Sequence, residues 1–387
     1  MTVGQKNDRR KVILPWWEQI LRGHRNDLLA QSIRRFARLG SWGYGAGVKG
    51  RELAYQHGWL AVKRLPQPTI CIGNITVGGT GKTPLVIRLA KDLLAQGLRP
   101  AVLLRGYKRE KIKRAPVLVR DADDIRATIA ESGDEAMELA ERLPGACVGV
   151  GADRYAVGNY ILKHHPVDCF ILDDGFQHHR LERDINIVTV DVTDPWGGGH
   201  LLPAGLLREP PDALRRADAV VLTRTGSVGP DRLSVLRAEV SMNMRPSSGL
   251  LESRHEPRQL ISLQQSKNLP LSELKGKRVL VVSAIGNPKS FENTLTQLGA
   301  HLVATMRLAD HSGRVEQVRQ WIAQNRRHAE WVLMTEKDAM RWGLEEGPSG
   351  LPAGRQAYAL RMELVFSDGE DHWRKLIALI KRLAHAR

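Results

Sequence analysis

The chain has 387 residues, of which 42% are hydrophobic and 26% charged, a composition typical of a globular protein with two or three domains. No apolar run is long enough for a transmembrane helix, and the scattered cysteines Cys71, Cys147 and Cys169 argue against a disulfide framework or a zinc site. The net charge of +16 indicates an acidic partner, which is nucleic acid, anionic lipid or a phosphorylated substrate.

Residues 1–67 form a basic leader that holds 13 Lys and Arg against 4 Asp and Glu, more than half of the net charge. A helical period around Leu29 predicts an apolar face with Ile33, Phe36 and Ala37 opposite a basic face with Arg34, Arg35 and Arg38. This pattern fits a helix that lies in a membrane interface, and it fits a solvated basic helix packed on the main domain. The pattern alone does not decide between the two.

From residue 68 onward, short apolar runs alternate with helical patterns, which predicts a parallel α/β sheet. The predicted strands are 69–72, 101–104, 169–172, 185–190 and 219–223, and the predicted helices are 82–96 and 133–143. We therefore predict a core domain over residues 68–225.

Residues 226–277 are rich in Gly, Pro, Ser and Arg and are predicted to be an irregular connection. A second, smaller α/β domain is predicted over 278–387 from its strand and helix patterns. Its predicted strands are 278–286, 301–305, 331–335 and 358–366, with helices near 291–298 and 314–324. The final basic helix, 370–387, belongs to this domain or packs back on the core.

The sequence GNITVGGTGKT, residues 73–83, connects a predicted strand to a predicted helix. Such a glycine-rich loop can curl its backbone N–H groups around phosphate, with Lys82 on the β- and γ-phosphates and Thr83 on Mg²⁺. Thr76 stands where the usual motif has its first glycine, so we place the flexible bend at Gly78–Gly79. The alternative is a glycine-rich turn that binds no nucleotide.

The sequence CFILDDGFQHHR predicts a buried strand that ends in Asp173 and Asp174. A carboxylate at this end of a strand holds the Mg²⁺ of a bound nucleotide, and Gln177 and His178 follow at the same edge. Zinc bound by the adjacent histidines is a weaker reading, because His178 and His179 do not share a face.

Other polar residues add candidate roles. Asp134 and Glu135 open a predicted helix, where acids are favoured in any case, but Asp134 is also the best spare carboxylate for a general base. Arg154 and Arg208 suit a phosphate clamp, since guanidinium groups match phosphate oxygens. His311 has no distinguishing signal of its own and reads as a surface residue.

Taken together and in order, these motifs resemble those of the tetraacyldisaccharide 4′-kinases of lipid A biosynthesis. They stand here as GNITVGGTGKTP, RGY, GDE, GADR, DDGFQHHRLERD, LPAGLLRE, AIGNP, ADH and MTEKDA, over roughly residues 68–342. The resemblance implies a P-loop core with a parallel sheet flanked by helices and a second α/β domain. It also makes Thr76 a family trait instead of a defect.

The resemblance implies ATP and Mg²⁺ as cofactors and transfer of the γ-phosphate to the 4′-hydroxyl of tetraacyldisaccharide 1-phosphate, which forms lipid IVA. It implies a catalytic set of Asp134, Glu135, Asp174, His178 and His311, with Thr83 and Asp173 at the metal. The implied phosphate-binding set is Thr76, Gly78, Gly79, Thr80, Gly81, Lys82, Thr83, Arg154, Gln177 and Arg208. His311 would come from the second domain, which closes over the nucleotide.

The implied acceptor is an amphiphile, which favours peripheral attachment of a monomer to the anionic cytoplasmic face of the bacterial inner membrane. Two departures from the family pattern are RGYK, which places Lys108 near the phosphates, and a leader that is longer and more basic than expected. The alternative function is a P-loop ATPase that acts on nucleic acid through the positive charge. A GTP switch protein is disfavoured because the chain has no N-K-x-D motif.

Overall fold

The structure, a computed structural model, describes residues 27–106, 115–264, 268–285, 288–308, 315–342 and 356–386. Its strands are β1 Thr69–Asn74, β2 Pro100–Leu104, β3 Val117–Arg120, β4 Cys147–Val150, β5 Cys169–Asp173, β6 Ile185–Asp191, β7 Ala219–Thr223, β8 Gly249–Ser262, β9 Leu269–Pro270, β10 Arg278–Ser283, β11 His301–Arg307, β12 Trp331–Thr335 and β13 Gln356–Asp368. Its helices are α1 Leu28–Gln56, α2 Lys82–Ala95, α3 Ile129–Ser132, α4 Asp134–Arg142, α5 Arg154–His164, α6 Pro230–Met242, α7 Pro288–Gln297, α8 Val315–Asn325, α9 Glu336–Trp342 and α10 Glu370–His385.

One sheet runs through the whole described chain, in the order β11-β10-β12-β13-β8-β7-β6-β1-β5-β2-β4-β3, with β9 paired to β8. In the first half, β1 lies between β5 and β6 and pairs with both in parallel. In the second half, β10 pairs in parallel with β11 and β12. This mostly parallel sheet with helices on its faces confirms the predicted α/β class.

Helices cover both faces of the first half, because successive residues of its strands point to opposite sides. On one face, Ile70 and Ile72 of β1 lie in a buried cluster with residues of α2, α4 and α10. On the other face, Phe170 and Leu172 of β5 lie in a cluster with residues of α5 and α6. Every strand from β1 to β7 except β3 is almost wholly buried. The polar side chains that could bind a ligand therefore lie at the ends of the strands.

The two halves are joined by β8 and β13, which pair antiparallel from Tyr358↔Ser262 to Asp368↔Glu252. The prediction that 226–277 is an irregular connection is wrong for its larger part, because this region forms α6 and the 14-residue strand β8. Pro257 lies opposite Met362 at a shift of register, where the missing N–H of proline is tolerated. The boundaries between the two predicted domains stay a prediction.

Helix α1 extends from Leu28 to Gln56, well beyond the segment that the period around Leu29 predicts. It rests on the segment that follows β6, where the hydroxyl of Ser41 donates to the carbonyl oxygen of Leu201 at 2.8 Å and accepts from the N–H of Ala204 at 3.1 Å. Among the described helices, none combines the length and the apolar character needed to cross a membrane.

Helix α10 corresponds to the predicted final helix, and its contacts show which half of the protein it packs against. Trp373, Ile377 and Ile380 are buried in the cluster that also contains Ile70 of β1. The indole N–H of Trp373 donates to a carboxylate oxygen of Asp92 in α2 at 2.7 Å. The final helix therefore packs back on the first half.

Candidate active site

The glycine-rich loop leaves the carboxyl end of β1 and enters α2 with two residues in the left-handed region. Gly78 has φ 118° and Gly81, the residue before the helix, has φ 82°. The bend predicted at Gly78–Gly79 therefore lies on Gly78, and the second turn is at Gly81. No side chain caps the first turn of α2, so its N–H groups can bind an anion.

A short segment from residues 206 to 208 holds the start of this loop. The N–H of Val77 donates to the carbonyl oxygen of Leu206 at 2.7 Å, and the N–H of Arg208 donates to that of Ile75 at 2.7 Å. Thr76 is buried and forms an isolated antiparallel bridge with Leu207. Thr76 thus shapes the loop through its backbone, and the same pairing carries Arg208 to the loop.

Asp174 joins two cations beside the loop. The ammonium of Lys82 lies 3.5 Å from Asp174 Oδ1, and Nη1 of Arg208 donates to both carboxylate oxygens at 2.9 Å. Burial raises the pKa of Asp174, but Lys82 and Arg208 outweigh it and hold this pKa below its usual value. Asp174 has φ 52°, an unusual value for a residue other than glycine. Such uncommon backbone conformations cluster at functional sites.

Asp173 is buried at the end of β5, and its Oδ1 has no hydrogen-bond partner. Burial raises the pKa of Asp173 to about 7; Lys82 opposes this rise, and the charges of Glu135 and Asp174 add to it. An unpartnered carboxylate oxygen at this place fits Mg²⁺, which prefers oxygen ligands. Within the described ranges no three His, Cys, Asp or Glu side chains form a metal cluster. That Thr83 joins Asp173 at the metal stays a prediction.

Helix α4 brings two further carboxylates to this edge. It starts at Asp134, directly after Gly133, whose φ of 84° turns the chain between α3 and α4. Asp134 is half-buried, whereas Glu135 is exposed and lies near enough to raise the pKa of Asp173. The structure thus places Glu135, the residue after the predicted base, near the predicted metal ligand.

The buried Arg154 and the half-buried His178 lie near one another and near the two acidic residues. Arg154 is 6% exposed, and its Nη1 donates to the carbonyl oxygen of Ala152 at 3.0 Å. Burial and the charge of Arg105 lower the pKa of Arg154. Burial, followed by the charges of Arg154 and Arg183, lowers the pKa of His178 to about 4, so His178 is neutral at pH 7.

Two predicted residues cannot be placed. His311 of the ADH motif and Lys108 lie outside the described residues. Their roles stay predictions that rest on the motifs alone.

A hydrogen-bonded network surrounds the buried Glu209, and of its members the sequence analysis predicted only Gln177 as a site residue. Glu209 is 1% exposed and accepts hydrogen bonds from Gln177 Nε2 at 3.2 Å and Arg216 Nη2 at 2.5 Å, with His179 Nε2 at 3.8 Å. Burial raises the pKa of Glu209, but His179 and Arg216 hold it below its usual value. Arg216 also pairs with Glu52 of α1 at 2.9 Å, so the network links the basic leader to the site.

Two motifs carried a sequence signal for this network: LPAGLLRE contains Glu209, and DDGFQHHRLERD contains Gln177 and His179. Both polar atoms of the Gln177 amide are held, since Nε2 also donates to the carbonyl oxygen of Asn74 at 2.8 Å and Oε1 accepts from Nη1 of Arg208 at 3.5 Å. The arrangement as a whole offers a cradle of N–H groups, converging cations and two acids with different pKa values. These are the parts that phosphoryl transfer requires.

Comparison with known proteins agrees with this chemistry. Residues 33–381 match the family described as tetraacyldisaccharide-1-P 4′-kinase. A tetraacyldisaccharide 4′-kinase of Geobacter sulfurreducens is 37% identical over 84% of this chain and 89% of its own, and one of Geobacter metallireducens is 40% identical over 78% and 86%. A crystal structure described as the "apo" form of LpxK from Aquifex aeolicus in complex with ATP matches with a TM-score of 0.72 and 31% identity, over 91% of this chain and 99% of that one.

Proposed function

The chain belongs to the tetraacyldisaccharide-1-P 4′-kinase family, and from this membership we infer that it is an ATP-dependent lipid kinase of lipid A biosynthesis. It transfers the γ-phosphate of ATP to the 4′-hydroxyl of tetraacyldisaccharide 1-phosphate and forms lipid IVA. The family match favours this function over an ATPase that acts on nucleic acid, which no observation at the site supports.

The convergence of two cations on Asp174 is the observation that carries this proposal. Lys82 and Arg208 come from different parts of the chain, yet one carboxylate holds both beside the glycine-rich loop. A fixed pair of cations at a cradle of N–H groups can bind the phosphate chain and stabilise the charge that develops during transfer. We assign the binding of the phosphates to the loop residues Thr76, Gly78, Gly79, Thr80, Gly81, Lys82 and Thr83 together with Arg154, Gln177 and Arg208.

Asp134 is the proposed general base, which takes the proton of the attacking hydroxyl. The proposal is supported by the neighbouring residue Glu135, whose charge acts on Asp173; Asp173 and Thr83 would then hold Mg²⁺. When bound, Mg²⁺ neutralises negative charge on the phosphate oxygens. Glu135, Asp174 and the neutral His178 surround the reacting groups, and we propose that His311 completes them from the second half.

Helix α1 is the proposed site of membrane attachment. Leu28, Phe36, Leu39 and Trp42 share one face by helical period and are 81%, 73%, 61% and 78% exposed. The helix also carries exposed arginines, so its surface combines apolar anchors with charges that favour anionic lipid headgroups. We propose that the protein acts as a monomer at the cytoplasmic face of the inner membrane, where its acceptor lies.

The decisive experiment follows labelled phosphate from [γ-³²P]ATP into tetraacyldisaccharide 1-phosphate presented in mixed micelles. We expect label in the lipid with wild-type protein and none with Lys82→Ala. Hydrolysis of ATP that is stimulated by DNA, without any label in the lipid, would overturn the proposal.

A further inference from the structure

The end of β7 holds two consecutive carbonyl groups of the glycine-rich loop. Nη2 of Arg224 donates to the carbonyl oxygen of Gly79 at 2.8 Å. The hydroxyl of Thr223 donates to the carbonyl oxygen of Thr80 at 2.9 Å. The side chain of Thr80 is held as well, because its hydroxyl lies 2.8 Å from that of Thr189 in β6. The second half of the loop is therefore fastened to β6 and β7.

These bonds determine where two N–H groups point. The peptide plane that contains the carbonyl of Gly79 also contains the N–H of Thr80, and the plane with the carbonyl of Thr80 contains the N–H of Gly81. In a trans peptide the N–H and C=O groups point in opposite directions. When β7 fixes the two carbonyls on its own side, the two N–H groups are directed away from β7.

Arg224 adopts an uncommon conformation to make its contact. Its φ is 60°, and among the described residues only Asp174 shares a positive φ without being glycine. Nη1 of Arg224 also donates to Asp191 at the end of β6, and the carboxylate of Asp191 is itself fixed by the N–H and hydroxyl of Thr193. A left-handed conformation persists when the surrounding structure imposes it. Here the imposing contacts are the buried Asp191 and the loop.

We propose that Arg224 is a positioning residue for ATP: it fixes the Gly79–Thr80 peptide so that the loop presents its N–H groups to the phosphates without rearranging. Thr223 does the same for the next peptide. The inference deepens the proposed function, because it assumes that the phosphates of ATP lie in this loop. A loop oriented before binding loses less entropy when the phosphates arrive, so the brace strengthens nucleotide binding and leaves the acceptor site unaffected.

The test compares Arg224→Gly, Arg224→Lys and Thr223→Val with wild type. Glycine removes the brace and also suits a positive φ, so this variant separates the loss of the contact from backbone strain. The matched control is Arg245→Ala. Arg245 donates to a carbonyl oxygen and to a carboxylate and is 48% exposed against 42% for Arg224, but it lies at the opposite end of β7.

The measurements are the Kd of a non-hydrolysable ATP analogue by calorimetry, the KM for each substrate, and the melting temperature. For Arg224→Gly we expect the Kd and the KM for ATP to rise about tenfold or more, the factor for losing a hydrogen bond with a charged donor. The KM for the lipid should stay as in wild type, whereas the melting temperature should fall somewhat, because the buried Asp191 loses its cationic partner. Arg224→Lys should recover part of the affinity, and Thr223→Val should weaken ATP binding about two- to tenfold.

An unchanged Kd in both Arg224→Gly and Thr223→Val would overturn the inference, as would an equal loss in Arg245→Ala. Should Arg224→Gly fail to fold, Thr223→Val and Arg224→Lys still decide the matter. The proposed function fails separately, since wild-type protein would then bind the ATP analogue but leave the lipid unlabelled.

Discussion

Asp173 is expected to make the protein less stable as the pH rises, and Asp173→Asn should remove this dependence. The carboxyl is buried and its pKa is raised to about 7, whereas the pKa of aspartate in an unfolded chain is about 3.9. Between these values the folded state binds more protons than the unfolded state, so the free energy of unfolding falls as pH increases. Above pH 7 both states are ionised and the loss is complete.

The magnitude follows from the width of the window. From pH 5 to pH 7 the free energy of unfolding of the wild type falls by about 1.4 kcal/mol per pH unit through this carboxyl. Relative to wild type, Asp173→Asn should therefore be roughly 2–3 kcal/mol more stable at pH 8 than it is at pH 5. With about 2 cal/mol/K of unfolding entropy per residue, this gain corresponds to about 3 °C in melting temperature if the chain unfolds as one unit. The same variant should lose kinase activity, because asparagine is a poor ligand for the metal.

The assay is urea unfolding of both proteins at pH 5, 6, 7 and 8, with EDTA and without nucleotide. The control is Asp168→Asn. Arg99 donates to both oxygens of Asp168 and holds its pKa below the usual value, so this carboxylate is ionised in both states throughout the range. Its variant should be less stable than wild type by a constant amount. A difference for Asp173→Asn that is equally flat from pH 5 to pH 8 would refute the reasoning.

Three further substitutions test other parts of the molecule. Gly73→Ala should lower the free energy of unfolding by about 1–3 kcal/mol in urea, because the new Cβ would lie 2.5 Å from Cβ and 2.9 Å from N of Phe176; an unchanged midpoint would contradict the contact. Phe36→Glu should reduce sedimentation with anionic vesicles, while Met242→Glu, which alters an equally exposed residue on α6, should not. Equal binding by wild type and both variants would contradict the proposal that α1 attaches to the membrane. Asp134→Asn should slow phosphate transfer about 10²- to 10⁴-fold while the affinity for ATP stays the same, and a near-normal rate would exclude Asp134 as the base.

Most buried strands of the sheet were predictable because each is a short apolar run whose ends are marked by polar or glycine residues. The buried strand β4, Cys147–Val150, was not predicted. The strands predicted at 219–223 and 331–335 coincide with β7 and β12. The helix predicted over 82–96 ends one residue earlier as α2, at Ala95. The local sequence suffices to predict these strands, since a strand buried on both faces appears as a continuous apolar run whatever its neighbours are.

Strand β8 could not be predicted in the same way. Its central residues, RHEPRQ, are charged or polar and include Pro257, which argues against a strand. What stabilises this stretch is its pairing with β13, about 100 residues later in the chain. Such a pairing depends on tertiary contacts that no local pattern contains.

The site shows the same division. The loop, Asp173 and Asp174 were predictable, because each stands at the end of an apolar strand or in a motif. The contact of Glu52 with Arg216 joins residues that are 164 positions apart, and the contact of Arg224 with the loop spans 145. Only the folded chain brings these partners together.

The return of β13 and α10 to the first half affects the order in which the protein can fold during synthesis. Ribosomes release the N-terminal residues first, and domains commonly fold as they emerge. Here the apolar face of α2 and β1 is covered by Trp373, Ile377 and Ile380, which are synthesised only after the strands of the second half. The half that carries the glycine-rich loop therefore completes its core only after the second half has been synthesised, and a nascent or truncated chain that lacks α10 exposes that core to chaperones and proteases.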